Sequence, residues 1–156
     1  MKRNPVLTLT ALAALSAPAF AQTPAVPAAW NAAALSSATY VILDPKIEGN
    51  ANLISGDQQA GVLAAMKRDS AGAIVRHYPN AKIASDLNTP GAIKVTPIIS
   101  APSALVPWAK MSAKMNLQLP DGNQVSLVEN FSVLMLWQQQ SNAANFAFDQ
   151  LAKKMP

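Results

Sequence analysis

Residues 108–133 read WAKMSAKMNLQLPDGNQVSLVENFSV, and the fold turns on them. From Trp108 to Leu119, the residues Ala109, Met111, Ala113, Met115, Leu117 and Leu119 alternate with Trp108, Lys110, Ser112, Lys114, Asn116 and Gln118. Strand side chains point alternately to two faces, so this pattern predicts one long strand with one dry face. Leu119-Pro120-Asp121-Gly122 places Pro and Gly at the second and fourth positions of a type I turn. Gly122 can then take the left-handed conformation of a three-residue hairpin loop. That turn sets Leu117 against Val125, Met115 against Leu127, Ala113 against Glu129, Met111 against Phe131 and Ala109 against Val133. A slip of one residue would put Leu117 opposite Ser126, so pattern and turn select the same register.

Two expectations follow from this register. Glu129 falls on the apolar face between Leu127 and Phe131, which makes it a candidate buried acid; an unpaired carboxylate there is costly and its pKa should rise. Three accounts of it stay open: a bulge at Glu129-Asn130 that turns it outward, a buried pairing with a Lys or with His77, or a functional acid. The opposite face is polar near the turn and becomes apolar farther away, where Trp108 would oppose Leu134 and Leu136 follows on the same side. Trp108, Lys110, Lys114, Leu134 and Leu136 are therefore a candidate partner-binding surface. The competing readings are cover by the segment around Trp30 and, for the two lysines, a solvated sheet face that discourages stacking.

Working outward, Ala92 to Ile99 alternates Ile93, Val95, Pro97 and Ile99 against Lys94 and Thr96, a half-buried strand that Pro97 should confine to an edge or interrupt. Ala81 to Ser85 is a short candidate strand. Upstream, Ser55 and Gln58 form a capping box, and Leu63, Met66, Ser70, Ile74 and His77 share a helical stripe that ends at Tyr78-Pro79-Asn80. Lys46 to Ile54 reads as a loop. Thr39 to Leu43, TYVIL, reads as a buried strand stopped by Asp44-Pro45. At the other end a helix should start at Ser141 or Asn142, with Ala144, Phe148, Leu151 and Met155 as its stripe. The expected fold is α+β: an antiparallel-leaning sheet of four to five strands, two helices on one face, in the order β-α-(β)-β-β-β-α.

The chain has 156 residues and begins with Lys2 and Arg3, followed by an apolar run from Val6 to Leu15 and by Ala19-Phe20-Ala21. A charged start, a short apolar core and a small-x-small site predict a signal peptide over 1–21, cleaved after Ala21. The run is shorter than the roughly 20 residues a helix needs to cross a bilayer, so no transmembrane span is expected in the mature form. The protein should be exported, periplasmic or extracellular, and free of a lipid anchor, since the chain contains no cysteine. Residues 22–38 are an uncharged Ala/Pro-rich arm or linker with Trp30 docking onto the body, and 39–156 a single α+β domain. Without the leader, ten basic residues face eight acidic ones, too weak a field for nucleic acid as a ligand.

The order of elements, together with the AIKVTPII segment at 92–99 and the Pro-Asp-Gly hairpin, resembles the small exported α+β accessory domains of bacterial envelope proteins, many of them lipoproteins. The resemblance covers Thr39 to Met155 and implies no catalytic motif, while the missing cysteine departs from the lipoprotein members.

Chemistry is sparse in the sequence. His77 is the sole histidine, which excludes any site needing two histidines from one chain. It reads as a residue near a helix end. No G-x-S-x-G elbow, D-x-D cluster or calcium loop is present, so no catalytic, cofactor or metal residues are assigned. The function expected is a non-enzymatic binding or accessory domain of the cell envelope, with another envelope protein or a small apolar ligand as partner. The alternatives are a carrier of a small apolar ligand, or a hydrolase with an acid site at Glu129.

Overall fold

The computed structural model describes residues 26–53 and 55–156; the expected leader and its cleavage site lie outside them. In chain order the elements are α1 (Ala32–Ser36), β1 (Thr39–Ile42), β2 (Lys46–Gly49), α2 (Gly56–His77), β3 (Lys82–Ala84), β4 (Ile93–Ala101), β5 (Lys110–Gln118), β6 (Gln124–Ser132), α3 (Val133–Gln139) and α4 (Ala143–Ala152). The hairpin of β5 and β6 has the register expected, from Leu117↔Val125 through Met111↔Phe131. Its turn closes with Gly122 N–H donating to Leu119 O at 2.9 Å and Leu119 N–H donating to Asn123 O at 2.8 Å, with Gly122 at φ +84°.

The sheet departs from the expectation in two respects. Among the described residues it has six strands, ordered β3-β1-β4-β5-β6 with β2 also on β4, and it is mixed rather than antiparallel-leaning: β1 pairs β3 and β4 in parallel, and β2 pairs β4 in parallel. Lys46–Gly49, read as loop, is a strand despite its polar sequence, because β4 offers it a ladder beyond the end of β1. Between Ile42↔Val95 and Lys46↔Ile98, the residues Leu43, Asp44 and Pro45 stand opposite only Thr96 and Pro97. This is a bulge, with an extra residue on one side of the pair.

The bulge explains how Pro97 sits inside a central strand. A strand residue directs its N–H and C=O to the same neighbour, and Val95 O accepts from Leu43 N at 2.8 Å. Pro97, two residues on, therefore faces the same side, and its missing N–H falls where the chain from β1 to β2 bows away. The expectation of an edge position is corrected accordingly.

The helical layer lies on one face. Ser55 and Gln58 form the expected capping box at the start of α2. Tyr40, Ile42, Ile93, Val95, Ala113, Met115, Leu117, Leu127 and Phe131 of the sheet share a core with Met66, Ala73 and Ile74 of α2 and Ala147, Phe148, Leu151 and Ala152 of α4. Arg76 on α2 reaches Asp149 on α4 at 2.8 Å and also bonds Asn145, which joins the two helices at their exposed edges. The stretch expected as a spacer contributes too: Asn31 caps α1, Leu35 is fully buried, and Trp30 packs against the core. Tyr40, also fully buried, donates its hydroxyl to Leu35 O at 2.8 Å; burial first and the neighbouring Tyr78 second push that phenol above its ordinary range.

Candidate functional site

Small side chains on the two long helices leave a space that the sheet does not fill. Gly61 and Ala65 of α2 and Ala143, Ala144 and Ala147 of α4 line a cleft of about 800 Å³, with Ile99, Met111, Ala113 and Phe131 as its floor. The fourth wall is α3, which presents Val133, Leu136 and Trp137 at helical spacing, and Leu105 from the segment before β5 also lines the space. Among the described residues no ionisable side chain lines the cleft; its polar side chains are Gln58, Gln140 and Ser141. A pocket of this size, mostly apolar with a few neutral hydrogen-bonding groups, has the character of a small-molecule site.

Helix α3 is where the sequence reading and the structure part most clearly. Val133 to Trp137 was expected to prolong strand β6, yet Ser132 accepts from Met135 N at 3.1 Å and caps a helix. Across the hairpin, Pro107 has no N–H to continue a ladder. Val133 N bonds Ala109 O at 2.9 Å and Leu134 N bonds Pro107 O at 3.0 Å, after which the chain turns away. At the far end Gln140, with φ +49°, is the one non-glycine residue among those described in the left-handed half of backbone space. That corner lets α3 stand off from α4 as a wall.

The expected partner surface is therefore divided. Trp108 precedes β5 and is 79% exposed, Leu134 sits on α3 at 48% exposed, and Leu136 turns into the cleft. Trp108 and Leu134 stay exposed, while Trp30 packs against the core. Lys110 stands opposite Ser132 on the outer sheet face and is in no ion pair among the described residues. Lys114 on the same face is engaged by Glu48 of β2 at 2.9 Å, and Ser100 of β4 donates to the same carboxylate at 3.2 Å. Lys114 leads the causes that hold Glu48 below its ordinary pKa.

Glu129 stays in register opposite Ala113, so no bulge turns it outward. It is not the buried acid expected: 32% of its side chain is open, and Lys154 beyond the end of α4 pairs with it at 2.5 Å. Hydrogen bonding from Lys154 lowers its pKa, opposite to the expected rise, because β6 is the outermost strand and leaves room for that lysine. The buried acid is Asp69 of α2, 7% exposed, gripped by the adjacent Arg68 at 2.7 and 3.0 Å. Its place at helical spacing between Met66 and Ala73 was the signal for it.

His77 stacks edge-on against Tyr78, with ring centroids 4.4 Å apart, and borders a shallow pocket with Arg76, Asp149 and Lys153. Asp149 in that pocket is already held by Arg76. Among the described residues no three His, Asp or Glu side chains are grouped to hold a metal ion. No described helix is long and apolar enough to cross a membrane.

No family model matches the chain, and no curated protein matches it. Two solved structures are similar in part. One is an uncharacterized protein, 9% identical over 76% of this chain and 94% of that one, with a TM-score of 0.45. The other is a minor lipoprotein from Acinetobacter baumannii, 10% identical over 70% of this chain and 86% of that one, with a TM-score of 0.28. At these values neither likeness carries an argument about what this chain does.

Proposed function

We propose that the protein is an exported, non-enzymatic accessory domain of the cell envelope that works by binding, and that its cleft takes a small apolar or neutral amphiphilic molecule. One observation carries this reading: a space of about 800 Å³ between sheet and helices, walled by apolar side chains and, among the described residues, by no charged one. Burying an ionised group against such walls is costly, whereas an apolar body with one neutral polar end could meet Gln58, Gln140 or Ser141. The N-terminal pattern of charge, short apolar run and Ala19-Phe20-Ala21 supports export.

Titration with the neutral dye Nile red tests the cleft. Native protein should enhance the dye's fluorescence saturably, and Ala144→Phe, which fills the space, should weaken binding at least about tenfold with little change in melting temperature. Absence of saturable binding, or equal binding by the variant, would refute the reading.

A further inference from the structure

The mouth of the cleft is bordered by an apolar collar that the fold leaves in water. Leu105 and Trp137 line the cleft yet are 42% and 50% exposed. On the same two chain segments Leu134 and Met135 are 48% and 42% exposed, and Trp108 is 79% exposed. The backbone bonds from Val133 to Ala109 and from Leu134 to Pro107 hold these two segments together as one rim. The first five residues of helix α3, VLMLW, are apolar on the side away from the cleft as well as toward it, before Gln138 and Gln139. A helix that is apolar all round belongs inside a protein or against an apolar phase.

The two chain segments that form the rim carry lysine but no acid, the acid next in sequence to the cleft lining being Asp57 at the start of α2. Residues 102–120 and 130–148 contain no aspartate or glutamate, while Lys110, exposed and outside every ion pair among the described residues, lies two positions after Trp108 on the outer sheet face. Tryptophan is favoured at the boundary between water and lipid, where its apolar ring and its N–H are both accommodated. Apolar insertion assisted by a nearby cation is how peripheral proteins hold an anionic bilayer.

We propose that this collar seats the cleft mouth on an anionic lipid surface, so that the cargo enters and leaves the cleft directly from the bilayer. The inference deepens the cleft reading and rests on it for the cargo, which then belongs to the class of neutral, membrane-dissolved amphiphiles. Docking itself requires only the collar.

Co-sedimentation of the chain recovered from a periplasmic extract, with vesicles of phosphatidylethanolamine and phosphatidylglycerol, tests the docking. The native chain should sediment with the vesicles, and a Trp108→Ser/Leu134→Ser variant should lose at least about tenfold in partitioning, because two large apolar side chains leave the interface. Lys110→Gln should weaken partitioning severalfold, as should replacing phosphatidylglycerol by phosphatidylcholine. Circular dichroism melts should match throughout, since all three side chains are exposed; if the double variant is unfolded, Met135→Ser supplies the comparison. A native chain that stays in solution, or variants that sediment equally, would overturn the proposal. So would a dimer seen by analytical ultracentrifugation that the double variant abolishes, since that assigns the collar to a second copy. Nile red binding without vesicles separates the two readings: the collar variant should keep it, and Ala144→Phe should lose it while still sedimenting.

Discussion

Lys154 Nζ lies 2.5 Å from Glu129 Oε2, so the last turn beyond α4 is fastened to the outermost strand of the sheet. The same ammonium donates to Val128 O at 2.5 Å and occupies one backbone acceptor that the outer edge of β6 would otherwise offer to a stray strand.

The pair sets an acid-side dependence of stability. Hydrogen bonding from Lys154 holds the Glu129 carboxyl below its ordinary value of 4.5. A depressed carboxyl contributes stability above the unfolded pKa and loses it as pH falls through the folded one. Glu129→Gln should lower stability at neutral pH by less than about 1 kcal/mol, as suits a partly exposed pair, and the gap to the native chain should close as the solution is acidified below 4.5. Thermal melts along that pH series decide it; a gap independent of pH would mean that the ion pair is not its source.

The turn at Gly122 isolates a backbone effect. Its φ is +84° and a Cβ there would meet nothing within 4 Å, so a substitution is penalised by conformation alone. Gly122→Val should cost about 1–2 kcal/mol or more, whereas Asn123→Ala removes one exposed hydrogen bond to Asp121 and should cost less than about 1 kcal/mol. Equal melting temperatures for the two variants would contradict the turn geometry.

Gly49 combines conformation with a collision. It has φ +82° and its Cβ would lie 2.5 Å from Ala101 O on the neighbouring strand. Gly49→Ala must therefore shift backbone as well as strain it, and should destabilise more than Gly122→Ala. Chemical denaturation of both variants gives the ranking, and the reverse order would show that β2 does not hold to β4 as closely as Gly49↔Ala101 implies.

Leu35 and Trp108 form a third comparison, between a leucine in a stretch that reads as linker and a tryptophan that reads as part of a partner-binding surface. Leu35 is fully buried and Trp108 is 79% exposed. Leu35→Ala should cost about 2–5 kcal/mol, and Trp108→Ala should leave stability within about 0.5 kcal/mol. Urea midpoints for the two would settle which belongs to the folded body.

What was legible in the sequence is what short-range physics determines. The Pro-Asp-Gly turn and twelve residues of alternation specify the hairpin register, and Ser55 with Gln58 marks the start of α2, because each signal lies within a few residues of its effect. Parallel pairing leaves no such mark: Tyr40 and Ile93 are neighbours only after α2 has carried the chain back. The same limit hid the cleft, whose walls come from α2, β4, β5, β6, α3 and α4 together. Only the small residues Gly61, Ala65, Ala144 and Ala147 hinted at it. Val133 to Trp137 misled because an unbroken apolar run suits a short helix as well as a strand, and Ser132, read as one more strand residue, was its cap.

The position of β4 imposes a timetable on the chain. Strands β1 and β2 are made long before Ile93–Ala101, and until that segment arrives the only parallel ladder open to β1 is the one with β3. The carboxyl-terminal strands, by contrast, can close on their own tight turn as soon as they exist. Two halves that assemble separately must then be joined along one late strand, and distant pairings of this kind are slow because loop entropy is lost before the new contacts form. During that interval the apolar face of TYVIL is open to other chains, so the moment of greatest exposure to aggregation falls between the emergence of β3 and the arrival of Val95 beside Ile42.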